Sequence, residues 1–144
     1  MDDPKAEVVR AWLAKAQEDL LAAEWLLMRP DSLPASVSFH AQQAAEKSLK
    51  AYLAWHEQPF GKTHSLVALV ARCLALDPDF EMLRRSATIL TPYAVDSRYP
   101  GDLPELSVAE AQEALALAED VWEFVLIRLP GSSHPVITYP SVDW

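Results

Sequence analysis

Glycine is scarce, with 3 in 144 residues. Folds built from strands turn often, and tight turns draw on glycine, so this shortage argues for helices. Cysteine is scarcer still, and Cys73 stands alone. A single thiol can form neither an internal disulfide nor a thiolate zinc site. Cys73 lies in an apolar run and reads as a small buried hydrophobe. No apolar stretch approaches the ~20 residues of a membrane-spanning helix. The opening Met1-Asp2-Asp3-Pro4-Lys5 lacks a signal peptide's hydrophobic segment. These absences predict a cytoplasmic protein with no membrane contact. Positive charge is also lacking, and a net charge of −9 disfavours sequence-blind binding to long nucleic acid.

Several chemistries are excluded by missing patterns. A carboxylate-bridged metal pair in a helical bundle needs Glu-x-x-His on two helices. The residues three before the four histidines are Val37, Leu53, Gly61 and Gly131. A zinc-protease His-Glu-x-x-His is absent, as are a phosphate-cradling glycine loop and a Gly-x-Ser-x-Gly elbow. The expectation is a protein without metal or cofactor.

What the chain has is helical periodicity. Hydrophobic residues at 51% and charged residues at 23% fit one globular domain that needs no staples. Val9, Leu13, Ala16, Leu20, Ala23 and Leu27 make one apolar stripe and predict a first helix over Pro4 to Met28, capped by Asp3. Trp12 and Trp25 flank the stripe and are expected to widen its buried face. Pro34 to about His56 forms a second helix, whose Ala41, Ala44, Ala45, Ser48 and Ala51 let a neighbour approach closely. A third is expected after Thr63 as N-cap, and a fourth after Asp77, with Pro78 at its first position. Pro92 should kink or end the fourth helix. Ser107-Val108-Ala109-Glu110 reads as a capping box that starts the fifth. Val108, Ala111, Leu115, Ala118, Trp122, Val125 and Leu129 form the fifth helix's stripe. The fold predicted is all-α, an up-and-down bundle of about five helices over residues 4–129, with an extended tail over 130–144. The wide apolar faces of the first and fifth helices point to a homodimer.

Three polar clusters carry the candidate chemistry. In the second helix, His40, Gln43, Lys47 and Lys50 recur at spacings of three and four and so share a side. Two ammonium groups with amide and imidazole donors suit a phosphate. Pairing of Glu46 with Lys50, four residues on, explains the same residues without a ligand. In Lys62-Thr63-His64-Ser65-Leu66, His64 is expected in the first turn of the third helix. The helix dipole there favours a neutral imidazole, either a proton acceptor or a tie to a neighbouring helix. In Asp96-Ser97-Arg98-Tyr99-Pro100-Gly101-Asp102, Arg98 suits phosphate and Tyr99 offers a ring to a base. Arg98 could equally pair with Asp96 or Asp102. The charge distribution leaves room for a local anion site. Residues 34–98 hold seven Lys/Arg against six Asp/Glu, whereas residues 99–144 hold one against eight.

The run Phe39-His40-Ala41-Gln42-Gln43-Ala44-Ala45-Glu46-Lys47-Ser48-Leu49-Lys50-Ala51, then His64-Ser65-Leu66, then Ser97-Arg98-Tyr99-Pro100, resembles the HEPN domain family over roughly residues 8–128. The first segment is the most specific of the three. The resemblance implies a homodimeric bundle of two hairpins, often encoded beside a minimal nucleotidyltransferase and in some cases part of a toxin–antitoxin module. It also implies nucleotide or RNA contacts at Gln43, Lys47, Lys50, His64, Arg98 and Tyr99. Many family members cut RNA without metal, through an Arg followed four to six residues later by a His. Here Arg98 occupies the Arg position, but positions 103–105 are Leu103, Pro104 and Glu105. Arg128 and His134 have the right spacing, yet Pro130-Gly131 interrupts the helix between them. A non-catalytic, phosphate-binding partner of a nucleotidyltransferase is therefore the first expectation. An endoribonuclease using Arg98 with His64 or His40 is the second, and a helical interaction scaffold the third.

Overall fold

The computed structural model describes residues 3–95 and 105–135. Among the described residues five α-helices follow one another: α1 over Pro4–Met28, α2 over Pro34–Trp55, α3 over Leu66–Leu74, α4 over Arg84–Leu90 and α5 over Val108–Ile127. No strand occurs among the described residues. The all-α expectation holds. No helix is long and apolar enough to cross a membrane among the described residues.

α1 starts where Asp3 accepts the Lys5 N–H at 2.9 Å and Pro4 pre-sets the first turn. Its stripe is buried from Val9 to Ala23. Trp25 departs from expectation and is 59% exposed. It lies two residues past Ala23, about 200° round the axis at ~100° per residue, and so faces away from the body. α2 is the central element, packed against α1 on one side and α5 on another. Ala41, Ala44, Ala45 and Ala51 are fully buried, which lets α1 and α2 approach closely. Ser48 is buried without penalty because its hydroxyl donates to the Ala44 carbonyl at 2.7 Å.

The third helix begins later than expected. Ser65, not Thr63, is the N-cap, with its hydroxyl accepting the Ala68 N–H at 3.2 Å. Thr63 instead accepts the Ser65 N–H at 3.1 Å and shapes the approach to the cap. His64 therefore precedes the helix and does not occupy its first turn. The dipole argument for its neutrality lapses with that position.

The fourth segment is also corrected. Asp77 caps it as expected, but Pro78–Leu83 is a 3-10 turn and the α-helix starts only at Arg84. The Phe80 N–H bonds back to the Asp77 carbonyl at 3.2 Å, an i→i+3 bond that tightens the turn. Tightening drops Phe80 into the core, 4.5 Å from the Tyr52 ring and 4.9 Å from the Phe124 ring. Pro92 ends α4 early, as expected, and Thr91–Ala94 continues as a 3-10 turn. Thr91 fixes that turn in place. Its hydroxyl donates to the Ala87 carbonyl at 2.7 Å and accepts the Leu66 N–H at 3.2 Å.

α5 opens with the complete capping box, Ser107 and Glu110 each satisfying the other's backbone N–H. Val108 is 44% exposed, because the helix meets the body only from Ala111 onward. Beyond α5 the first tail residues are packed down. Gly131–Ser133 forms a 3-10 turn, Ser133 is buried, and Arg10 donates to the Ser132 carbonyl.

Candidate functional site

The polar side of α2 meets α1 and the loop before α3. Asp19 sits on the buried stripe of α1, three residues after Ala16 and four before Ala23. A carboxylate there must find cationic or donor partners to offset its lost hydration. It finds two. Lys47 Nζ donates to one oxygen at 2.6 Å, and His40 Nδ1 lies 2.8 Å from the other. An ionised carboxylate only accepts, so His40 donates through Nδ1.

A second, parallel arrangement is centred on Glu46, which is 3% exposed. Lys50 Nζ donates to Glu46 Oε2 at 3.1 Å, and His64 Nδ1 lies 2.8 Å from Oε1. Gln42 braces the group from its buried amide, donating to the His64 carbonyl at 3.0 Å. Gln43 in turn donates to Gln42 Oε1 at 2.7 Å. Lys50 is enclosed: its ammonium lies 5.8 Å from the Trp12 ring and 5.6 Å from the Phe60 ring, which meet edge to face at 5.7 Å. Both contacts are cation–π in kind.

The four residues expected to share one side of α2 thus divide. His40 and Lys47 converge on Asp19, while Lys50 turns to Glu46 and joins His64. Each lysine is matched by its own carboxylate. Lys47 keeps a partly exposed side chain, and Lys50 is buried. The sequence-level pairing of Glu46 with Lys50 is present, and His64 adds a third member to it. Arg98 and Tyr99 lie outside the described residues. The 3-10 turn that precedes them in the chain is tied to the start of α3 through Thr91 and Leu66, two residues after His64.

Arg128 and His134 are used separately. Arg128 stacks 3.5 Å over the Phe124 ring and donates to Asp77 at 3.2 Å and Asp79 at 3.4 Å. His134 Nε2 instead donates to the Leu126 carbonyl at 2.8 Å and the Leu129 carbonyl at 3.0 Å, closing the end of α5. No group of three or more His, Cys, Asp or Glu side chains could hold a metal among the described residues.

Sequence reasoning missed Asp19, Gln42, Trp12 and Phe60. Asp19 had a signal, since an acid on an apolar stripe demands a partner. Trp12 and Phe60 had none, because what they enclose comes from another element.

The fold has a counterpart in a solved structure. The protein TT1696 from Thermus thermophilus is 35% identical and superposes with a TM-score of 0.74, over 85% of this chain and 99% of that one. No curated protein matches the chain. The HEPN domain model matches residues 9–128, a span that takes in most of α1, the Asp19 and Glu46 groups, the His64 loop and all of α5. With that match over most of its length, this chain belongs to the HEPN domain family.

Proposed function

We propose that this chain is a non-catalytic HEPN protein that binds a nucleotide or RNA phosphate, as a homodimer, and partners a minimal nucleotidyltransferase in a module of the toxin–antitoxin kind. The observation that carries the reading is the broken cleavage pair. Arg98 is followed by Leu103, Pro104 and Glu105 where a histidine would be needed. Arg128 and His134 offer no substitute, since one is engaged by two carboxylates and the other by backbone carbonyls. Without a general acid or base at that place, binding survives and the family's chemistry does not.

The phosphate contacts are assigned to His64, Arg98 and Tyr99, with Lys47 and Gln43 at the edge. Lys50 acts from behind His64 and does not touch the ligand. Titration of ATP and GTP by calorimetry tests this. The wild type should give a saturable signal that His64→Ala and Arg98→Ala each weaken. Equal signals in all three proteins, or none in any, remove the claim. Pairing is tested by co-expression with a minimal nucleotidyltransferase encoded beside this gene, where co-elution is expected. Separate elution of the two proteins removes that half.

A second reading, metal-independent endoribonuclease, is favoured by one observation. His40 and His64 each rest through Nδ1 on a carboxylate, the arrangement that leaves Nε2 for proton transfer. Structured RNA incubated with excess protein and a chelator decides between the two. Ends bearing 2′,3′-cyclic phosphate, absent with His64→Ala and Arg98→Ala, would replace the first reading.

A further inference from the structure

The Glu46–Lys50 pair poses an energetic question. Both side chains are more than nine-tenths buried. Burying an ion pair costs each member its hydration, and well-packed apolar residues in its place are often as stable or more so. Stability alone gives this pair no reason to exist. The third member is different in kind, since the His64 side chain is 63% exposed and fills no core space. Its Nδ1 is fixed on Glu46 Oε1, and its Nε2 has no hydrogen-bond partner among the described residues. Glu46 itself cannot swing, because Lys50 holds Oε2, and the Lys50 ammonium is in turn enclosed by Trp12 and Phe60. Gln42 locks the loop by binding the His64 backbone carbonyl. A buried, rigid scaffold thus ends in one exposed imidazole.

We infer that Glu46, pinned by Lys50, is a positioning residue that fixes the His64 imidazole with Nδ1–H on the carboxylate and presents Nε2 to a phosphoryl oxygen of a nucleotide. This rests on the phosphate-binding reading above and changes the part Lys50 plays in it. The geometry dictates the tautomer. A carboxylate accepts only, so neutral His64 carries its proton on Nδ1 and leaves Nε2 bare. When protonated, the ring donates Nε2–H to an anionic oxygen while Nδ1–H stays on Glu46. The ring then loses little freedom on binding, as expected of a site preorganised by supporting side chains.

Long-range 1H–15N spectra of the full chain read the tautomer of neutral His64 without any ligand. The wild type should show the Nδ1–H form. Finding Nε2–H overturns the inference, whatever the fate of the variants. Glu46→Leu combined with Lys50→Leu removes both charges together and leaves no buried ion unpaired. In that variant His64 should leave the Nδ1–H form, and ATP affinity should fall by roughly tenfold, the worth of one hydrogen bond to a charged group. An unchanged tautomer or unchanged ATP affinity in the folded variant counts against positioning by Glu46. ATP added to the wild type should move the His64 Nε2 signal, and saturable binding that leaves it still would overturn the phosphate contact. If ATP does not bind at all, the nucleotide reading and the contact fall together, and the ligand-free tautomer stands as a separate result.

Discussion

Glu46 and Lys50 illustrate how one side chain can be indispensable to its partner without adding to stability as a pair. Removing the charge of Glu46 alone leaves the Lys50 ammonium buried and unmatched. Glu46→Gln should therefore cost about 3–5 kcal/mol of folding free energy by urea denaturation. The double change to leucines should return most of that loss. If both variants unfold at the wild-type urea concentration, the pair is more hydrated in solution than its burial implies. Cys73 gives a simpler case. Burial pushes its thiol up to about 12, and the thiolate is the reactive form. A disulfide reagent at pH 8 should leave the native protein untouched and modify one equivalent after unfolding. Fast native reaction would mean that α3 opens readily.

Among the helices, α1, α3 and α5 each start on a short polar side chain that accepts a backbone N–H. The capping box at Ser107 is the most complete of these and stands at the head of α5, remote from the Glu46 group in sequence. Ser107→Ala should lower stability by about 1 kcal/mol and leave His64 signals unchanged. A shift at His64 would show that α5 and the site are coupled. The third and fourth segments show where periodicity stops being sufficient. Thr63 and Ser65 are both capping residues two positions apart, and only the packing of Leu66, Leu69, Val70 and Cys73 against the body selects Ser65. Pro78 suits either an α or a 3-10 start, and the core position of Phe80 decides for the tighter turn.

Over the molecule at large, negative charge gathers where α1 and α5 meet. Burial raises the pKa of Glu119, and so do the charge and hydrogen bond of Glu24 opposite and the nearby Glu123 and Asp120. A raised carboxyl holds its proton more tightly folded than unfolded. Its contribution to stability is therefore present at low pH and is lost as pH rises past 4.5 and through the folded value. Glu119→Gln should remove this loss, so that the variant gains on the wild type between pH 4.5 and neutrality. The gain should be below about 1 kcal/mol, since the group is only partly buried and is screened by solvent. Urea curves for both proteins at several pH values give the difference. A variant equally or less stable at pH 7 would mean that Glu24 and Glu119 do not repel.

The helices, their order, most of their boundaries and the family were legible in the chain before it folds, because apolar spacing and capping are local properties. So was the missing histidine after Arg98, which any fold would leave missing. The i,i+4 pairing of Lys50 with Glu46 was legible too, but which carboxylates Lys47, His40 and His64 meet was settled by folding alone. His40 and Lys47 find Asp19, 21 and 28 residues away, and His64 finds Glu46 across 18. A spacing rule along one helix compares residues on that helix and no others. The partner that neutralises Lys47 comes from α1, and the rings that enclose Lys50 come from α1 and a loop, so what those ammonium groups do follows from packing.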